Sequence, residues 1–316
     1  MKTIILDKST IGNDISLEAI KKQVSLKCYD TTNNKEVLDR IIDAEIIITN
    51  KVIIGKREMQ VAKNLKLICV AATGYNNIDI EEAKKRNIIV ANVSGYSTES
   101  VAQTVFGYIL SIMNSLIEVN KDISNGLWQK NPIFTMLNHS FIELKGKNLA
   151  IIGYGTIGKR VAEIAKVFGM NILIAESLQN NKPTPSRLPI SEILKQADIL
   201  TIHTPLTEKT TNLISKKEFK LMKKTAILIN AARGGVVNEQ ALYKALINKE
   251  IRYAATDVLT QEPPTNNNIL FKAPNILITP HIAWTSYEAR QKLVEGISNN
   301  IQLFIDNKGE NIDLCN

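Results

Sequence analysis

Short runs of Ile, Val and Leu alternate along this chain of 316 residues with stretches in which apolar residues recur every three or four positions. The short runs are typical of buried strands, and the longer stretches are typical of amphipathic helices. The first part of the chain holds five predicted strands, at residues 3–6, 25–28, 45–49, 67–70 and 88–90. A second series holds six, at residues 148–152, 171–175, 199–203, 226–230, 253–257 and 276–279. This alternation predicts an α/β protein with two units, each built on a mostly parallel sheet.

Helical patterns fill the intervals between these strands, at residues 16–23, 35–41, 80–86, 157–168, 190–196, 216–222 and 239–248. Residues 98–125 predict one long helix that is apolar on more than one face, which favours burial between domains or at a subunit interface. A final helix at residues 285–306 can return to the first unit. We therefore predict a discontinuous substrate domain, residues 1–97 and 287–316, with a dinucleotide-binding domain at residues 98–286 inserted into it.

A glycine-rich loop directly follows the first strand of the second series. Its GxGxxG pattern stands between a strand and a helix, which is the context that makes the pattern informative. The first glycine allows a tight turn, the second lets the backbone approach a pyrophosphate, and the third lets helix and strand pack closely. Free N–H groups at the helix start attract the phosphates. The predicted cofactor contacts in this loop are Gly153, Gly155, Thr156, Ile157 and Gly158.

The acid at the end of the next strand, Glu176, indicates which dinucleotide binds. A carboxylate there can accept hydrogen bonds from the ribose hydroxyls and repels the 2′-phosphate of NADP. No Lys or Arg follows it immediately. The sequence therefore favours NAD over NADP.

Three ionisable residues follow later strands of the second series. Arg233 comes after strand 226–230, Glu262 after strand 253–257, and His281 after strand 276–279. Because ligands bind outside the carboxyl ends of parallel strands, these side chains could converge near the cofactor. The other two histidines, His139 and His203, are assigned no catalytic role.

Four segments together resemble the D-isomer-specific 2-hydroxyacid dehydrogenase family, and the resemblance covers nearly the whole chain. These segments are residues 153–158, 230–236 (NAARGGV), 257–264 (DVLTQEPP) and 280–284 (PHIAW). Softer cues at residues 91–97, 126–129 and 175–176 look closest to the glycerate dehydrogenase, or hydroxypyruvate reductase, branch. The resemblance implies a Rossmann NAD-binding domain inserted into a flavodoxin-like substrate domain.

The chemistry implied by the resemblance is hydride transfer between NADH and a small anionic 2-oxo acid, most simply hydroxypyruvate or glyoxylate, to give D-glycerate or glycolate. His281 would donate the proton that the resulting alkoxide needs. Glu262 would orient the imidazole and stabilise its charged form. Arg233 would bind the substrate carboxylate. Backbone N–H groups at Thr73 and Gly74 would bind the same carboxylate from the other domain.

Further contacts follow from the same resemblance. Asp257 and Ala231 are expected near the nicotinamide carboxamide, and Thr204 and Pro205 are expected to border the adenine side. The resemblance and the apolar helical stretch also predict a homodimer.

Composition excludes several other classes of protein. The net charge is +8, but the lysines occur as scattered doublets and not as a basic stripe, so we predict no nucleic-acid partner. No run of 18 apolar residues and no export-signal pattern is present, which predicts a cytoplasmic protein without a membrane partner. Cys28, Cys69 and Cys315 lack CxxC-like spacing, which argues against a zinc ribbon or a disulfide scaffold, and we predict no metal.

Some alternatives remain open from the sequence. A D-lactate-type or phosphoglycerate dehydrogenase would carry the same residues. An NADH-sensing binding protein, like the corepressors that share this fold, can also keep the Arg/Glu/His set. A formate dehydrogenase is disfavoured, because that family pairs its histidine with Gln, whereas Glu262 stands here.

Overall fold

The computed structural model describes residues 1–178 and 186–306, so Cys315 lies outside the described residues. The chain forms two compact units. The first unit contains Met1–Ser97 and the chain from Thr285 onward, and the second contains Thr98–Trp284. Both units are parallel α/β layers, as the alternation of strand and helix patterns predicts.

The first unit is built on a five-stranded parallel sheet with the order β2-β1-β3-β4-β5. Its strands are β1 Lys2–Ile5, β2 Ser25–Cys28, β3 Ile46–Thr49, β4 Leu67–Val70 and β5 Ile89–Ala91. Its helices are α1 Glu18–Lys21, α2 Val37–Ile41, α3 Lys56–Val61, α4 Ile80–Lys85 and the C-terminal helix Tyr287–Ile305, with a 3-10 turn at Lys8–Thr10. The order 2-1-3-4-5 is that of flavodoxin-like sheets, which confirms the predicted class.

The central strands of this sheet are apolar along their whole length. Every residue of β3 and β4 is buried. Continuous burial is expected of strands that helices cover on both faces, and each buried Ile contributes about 1.5–3 kcal/mol. The uninterrupted Ile run of β3 is therefore the reason its position could be predicted from the sequence.

The second unit is built on a six-stranded parallel sheet with the order β11-β10-β9-β8-β6-β7. Its strands are β6 Asn148–Ile152, β7 Asn171–Ile174, β8 Ile199–Ile202, β9 Ile227–Asn230, β10 Tyr253–Thr256 and β11 Ile276–Ile278. The strand order reverses between β6 and β8, as in Rossmann folds, and the carboxyl ends at such a reversal form a crevice for ligands.

Helices cover this second sheet. They are α5 Thr98–Met113, α6 Leu116–Ser124, α7 Thr156–Val167, α8 Ile190–Gln196, α9 Lys216–Leu221 and α10 Glu239–Ile247, with a 3-10 turn at Ile269–Lys272. Residues from α5 and α7 share one apolar core with the buried residues of β6, β8 and β9.

The prediction of one helix over residues 98–125 is wrong, because the chain bends by 57° between α5 and α6. Ser115 adopts a left-handed conformation with a φ of 51°, and its hydroxyl donates to the carbonyl of Ser140 at 3.1 Å. The carbonyl of Met113 accepts from the N–H of Ile142 at 3.1 Å. Asn114 and Ser115 are also weak helix formers, so these tertiary hydrogen bonds end the helix there.

Among the described residues, no single helix is long and apolar enough to cross a bilayer. The bent pair of α5 and α6 meets the length and composition criteria only when its two helices are taken together, and α5 is largely buried within the second unit.

Candidate active site

The loop between β6 and α7 contains three glycines with different surroundings. Gly153 has a φ of 92°, and a Cβ atom there would collide with the carbonyl of His203. A Cβ at Gly158 would collide with the carbonyl of Gly153. At Gly155 a Cβ would meet nothing within 4 Å, so this position opens onto free space before the first turn of α7. A pyrophosphate fits that space, because helix N–H groups and the positive end of the helix dipole face it.

A cavity of about 330 Å³ lies at the carboxyl ends of β6, β7 and β8. Glu176 stands exposed at its rim, and Arg187 reaches the cavity because Ala175 pairs with Leu188 as an isolated parallel bridge. The cavity is lined by Ile152, Gly153, Tyr154, Gly155, Ala175, Glu176, Ser177, Leu178, Arg187, His203, Thr204 and Pro205. Its place at the reversal of strand order and its carboxylate rim suit the adenosine half of a dinucleotide.

The ring of His203 borders this cavity. Its Nε2 atom lies 2.9 Å from the Thr201 hydroxyl, and its buried Nδ1 atom has no hydrogen-bond partner among the described residues. Burial lowers the pKa of His203 to about 4. The ring is therefore neutral at pH 7, which agrees with its assignment to a role other than catalysis.

The turn that carries Arg233 is shaped by the buried side chain of Asn230. The Asn230 Oδ1 atom accepts from the N–H of Ala232 at 3.1 Å, and its Nδ2 atom donates to the carbonyl of Arg233 at 3.0 Å. The half-buried Arg233 donates one Nη1 bond to the carbonyl of Ala232 at 2.8 Å. Within the described part of the chain no carboxylate pairs with the guanidinium, so its planar fork can bind a carboxylate from solution.

Close backbone packing places the Arg233 turn beside the Glu262 loop. A Cβ atom at Gly234 would collide with the carbonyl of Leu259. The N–H of Leu259 donates to Glu262 Oε1 at 2.9 Å, and Glu262 Oε2 lies 2.6 Å from Nδ1 of His281. The structure therefore brings Arg233, Glu262 and His281 to one edge of the sheet in the second unit.

His281 is held in an unusual backbone conformation. Its φ is 56°, in the left-handed region that costs a non-glycine residue about 1–2 kcal/mol. Its N–H donates to the carbonyl of Asp257 at 2.8 Å. The buried Asp257 carboxylate accepts from the N–H of Ile282 and the N–H of Ala283, each at 2.8 Å, and from the Thr279 hydroxyl at 2.6 Å. Asp257 therefore holds the histidine loop, and its expected contact with nicotinamide stays a prediction.

The orientation of the His281 ring leaves one nitrogen for chemistry. Because Nδ1 faces Glu262, Nε2 is the atom that can exchange a proton with a bound molecule. The His281 side chain is 24% exposed, so small solutes can reach it. An imidazole held by a carboxylate can transfer a proton to or from a bound molecule. A guanidinium without a carboxylate partner among the described residues can bind a small anion.

The predicted substrate loop belongs to the first unit, where Thr73 and Gly74 follow β4. Thr73 is exposed and Gly74 is half-buried. Neither of their N–H groups donates to another residue that the structure describes.

Two further polar residues support this edge of the second unit and were not singled out from the sequence. Asn230 is one of them, and Glu239 at the start of α10 is the other. Glu239 accepts from the N–H of Thr260 at 2.6 Å and from Asn268 Nδ2 at 2.9 Å, which anchors the chain on both sides of Glu262. The sequence did offer one signal for Asn230, since it is a polar residue at the end of the otherwise apolar strand β9.

Comparison with known proteins identifies the family. The model of the D-isomer specific 2-hydroxyacid dehydrogenase NAD binding domain matches residues 106–283, more than half of the chain. The chain belongs to the D-isomer-specific 2-hydroxyacid dehydrogenase family. It is accordingly an NAD-dependent oxidoreductase, and the cavity beside Gly155 is the place in this dehydrogenase that suits the cofactor.

Individual relatives of this dehydrogenase match it over nearly their whole length. A glycerate dehydrogenase of Methylorubrum extorquens is 35% identical over 98% of both chains. A hydroxypyruvate reductase of Blautia hydrogenotrophica is 33% identical over 100% of both. The structure of a D-lactate dehydrogenase of Aquifex aeolicus, complexed with NAD and lactic acid, has a TM-score of 0.83 and 26% identity, covering 98% of this chain and 97% of that one.

Proposed function

We propose that this dehydrogenase reduces hydroxypyruvate or glyoxylate with NADH to D-glycerate or glycolate. The observation that carries the proposal is the Glu262–His281 pair beside the Arg233 turn, at the carboxyl edge of the dinucleotide-binding sheet. The names of the full-length relatives, glycerate dehydrogenase and hydroxypyruvate reductase, support this choice of substrate.

Each catalytic residue has a distinct role in the proposal. Bound NADH supplies the hydride that reduces the substrate C2 atom. Arg233 holds the substrate carboxylate through paired charge-assisted hydrogen bonds. His281 delivers the proton on Nε2 to the developing alkoxide oxygen and takes another from solvent, and it acts as the base in the reverse direction. Glu262 keeps the ring oriented through Nδ1.

The remaining contacts are assigned by position. The N–H groups of Thr73 and Gly74 bind the substrate carboxylate. Ala231 and Asp257 border the nicotinamide. Pyrophosphate, ribose and adenine contacts fall to Gly153, Gly155, Thr156, Ile157, Gly158, Glu176, Thr204 and Pro205.

One kinetic panel tests the proposal. Glyoxylate, hydroxypyruvate, pyruvate, 2-oxoisocaproate and phosphohydroxypyruvate are each assayed with NADH and with NADPH. We expect the highest kcat/KM with hydroxypyruvate or glyoxylate and NADH, because Glu176 repels a 2′-phosphate. Preference for pyruvate or phosphohydroxypyruvate would instead indicate a D-lactate-type or phosphoglycerate dehydrogenase. Cofactor binding without any turnover would indicate an NADH-sensing binding protein.

We infer that the enzyme is a homodimer. Beyond the bend at Ser115, α6 contains no buried residue, and the following segment carries large exposed apolar side chains. So many exposed apolar side chains in one stretch of chain indicate an interaction surface, and a second copy of the same chain is the commonest partner. The side chains are Leu116, Ile117, Ile123, Leu127, Trp128, Ile133, Phe134, Leu137 and Phe141. We expect a mass in solution near twice the 35.2 kDa of the chain, and a 35.2 kDa particle would contradict the inference.

We place the dehydrogenase in the cytoplasm, with no nucleic-acid or membrane partner. The reaction draws on a pool of NADH, which cells hold inside. Fractionation of cells that express the tagged chain tests this placement, and recovery of the protein outside the cytoplasmic fraction would overturn it.

A further inference from the structure

Two loops of the first unit are joined by hydrogen bonds just beyond their strands. The loop after β4 contains Thr73, and the loop after β5 contains Asn92 and Val93. The Asn92 Nδ2 atom donates to the carbonyl of Thr73 at 2.6 Å. The Thr73 hydroxyl donates to the carbonyl of Val93 at 3.2 Å, and the N–H of Val93 donates to the carbonyl of Ala72 at 3.2 Å. The loop after β5 therefore holds both the carbonyl and the hydroxyl of Thr73.

The direction of one free N–H group follows from these bonds. A trans peptide is planar, and its C=O and N–H bonds point in opposite directions. Because Asn92 holds the Thr73 carbonyl, the N–H of Gly74 in the same peptide points away from Asn92. That N–H donates to no other residue that the structure describes, so it stays available to an external acceptor.

Asn92 is itself held by the C-terminal helix. The Asn300 Nδ2 atom donates to the backbone carbonyl of Asn92 at 2.8 Å. Both asparagines are buried, at 7% and 4% exposure. Burying polar amides is costly without hydrogen bonds. Asn300 bonds to Asn92 and Asn92 bonds to Thr73, so the two buried amides hold the Thr73 carbonyl in a fixed orientation.

We propose that Asn92 is a positioning residue for the substrate carboxylate, with Asn300 supporting it from the C-terminal helix. Asn92 orients the Thr73 peptide so that the Gly74 N–H is aimed before substrate arrives. The inference rests on the proposed function, in which this loop binds the carboxylate of a small 2-oxo acid. It also gives the return of the C-terminal helix to the first unit a role in substrate binding.

The test is a comparison of Asn92→Leu with the unaltered enzyme. Leucine has nearly the shape of asparagine but no donor, and it adds no charge near the anion. A hydrogen bond to the carboxylate is present in both the bound substrate and the transition state, so its loss raises KM and leaves kcat in place. We expect KM for hydroxypyruvate and the inhibition constant of oxamate to rise about tenfold, with kcat and KM for NADH within about twofold.

A second variant and a control complete the design. Asn300→Ala should raise the same KM by a smaller factor, and it serves if Asn92→Leu does not fold. Ser298→Ala removes another hydrogen bond of the C-terminal helix, the partly buried 2.7 Å bond from Gln23 Nε2, and should leave KM unchanged. An unchanged KM in folded Asn92→Leu, or a loss confined to kcat, overturns the inference. Absence of turnover by the unaltered enzyme instead overturns the proposed function, so the two failures are distinguishable.

Discussion

At the scale of single residues, the three histidines of the chain differ in what surrounds their rings. His281 faces the Glu262 carboxylate and keeps one nitrogen toward solvent. Burial lowers the pKa of His203 to about 4 and keeps its ring neutral. His139 lies 2.8 Å from Asp122 and ties α6 to the segment after it. Only the surroundings of His281 suit proton transfer. The role of each histidine therefore depends on the groups around its ring.

Removing the proton donor should abolish most activity. His281→Ala is expected to lower kcat with hydroxypyruvate about 10²–10⁴-fold, because it removes a positioned general acid. Glu262→Gln keeps the shape of the partner but removes its charge, and should lower kcat about tenfold or more. Steady-state rates measure both effects, and the dissociation constant of NADH should stay unchanged as the control. A kcat within threefold of the unaltered enzyme in His281→Ala would contradict the assignment.

His203 makes stability depend on pH. Its pKa is about 4 in the folded chain and near 6.5 when unfolded, so between these values the unfolded chain binds the additional proton. The free energy of unfolding should therefore fall as pH decreases from about 6.5 toward 4, by about 3 kcal/mol in total, with no contribution above pH 7. Urea unfolding at pH 7 and pH 4.5 should show a smaller fall in His203→Asn. Equal falls in both proteins would refute this account.

At the scale of elements, the strands could be placed from the sequence and the helix break could not. Predicted and observed strand ends agree within one residue wherever an Ile-rich run stops at a polar residue, as at Thr49, the last residue of β3. The bend at Ser115 depends on Ser140 and Ile142, whose approach no local pattern shows.

Some residues of the candidate site could be predicted from the sequence, and others could not. Arg233, Glu262 and His281 were predicted because ionisable residues after parallel strands meet at one edge. Asn92 and Asn230 were missed, because their partners are backbone carbonyls and N–H groups that only the folded chain brings near.

The glycine loop allows packing and binding to be separated by experiment. A methyl group at Gly158 collides with the Gly153 carbonyl, so Gly158→Ala should destabilise the second unit by about 1–3 kcal/mol and weaken NADH binding. A methyl group at Gly155 meets no protein atom, so Gly155→Ala should keep the stability and weaken NADH binding about tenfold or more. Thermal unfolding and NADH titration check both variants. Unaltered NADH affinity in Gly155→Ala would place the pyrophosphate elsewhere.

At the scale of the whole molecule, the chain joins a flavodoxin-like unit to a Rossmann unit. Among the described residues, nine large exposed apolar side chains lie between residues 116 and 141 of the second unit. The net charge of +8 is spread over scattered lysines and says little about the substrate. Among the described residues the Arg233 guanidinium has no carboxylate partner, and we expect this side chain, not a basic surface, to bind the substrate anion.

Substitutions among the exposed apolar residues 116–141 test the proposed homodimer. Phe134 and Leu137 are 89% and 81% exposed in the single chain, so neither side chain stabilises the folded protomer greatly. Phe134→Glu is expected to shift the mass in solution toward the monomer, because a buried unpaired charge disfavours the interface. Light scattering after gel filtration measures the mass, with Val167→Glu on an exposed helix end as the control. If Phe134→Glu still has the mass of a dimer, the interface lies on another surface.

We propose that this chain passes a hydride from NADH to a small 2-oxo acid at the edge that carries Arg233, Glu262 and His281. The rate of NADH consumption with hydroxypyruvate, combined with chiral analysis of the product, tests this proposal. We expect one D-glycerate formed for each NADH consumed, and loss of that turnover in Arg233→Ala. Failure of the purified enzyme to turn over hydroxypyruvate or any other small 2-oxo acid would contradict it.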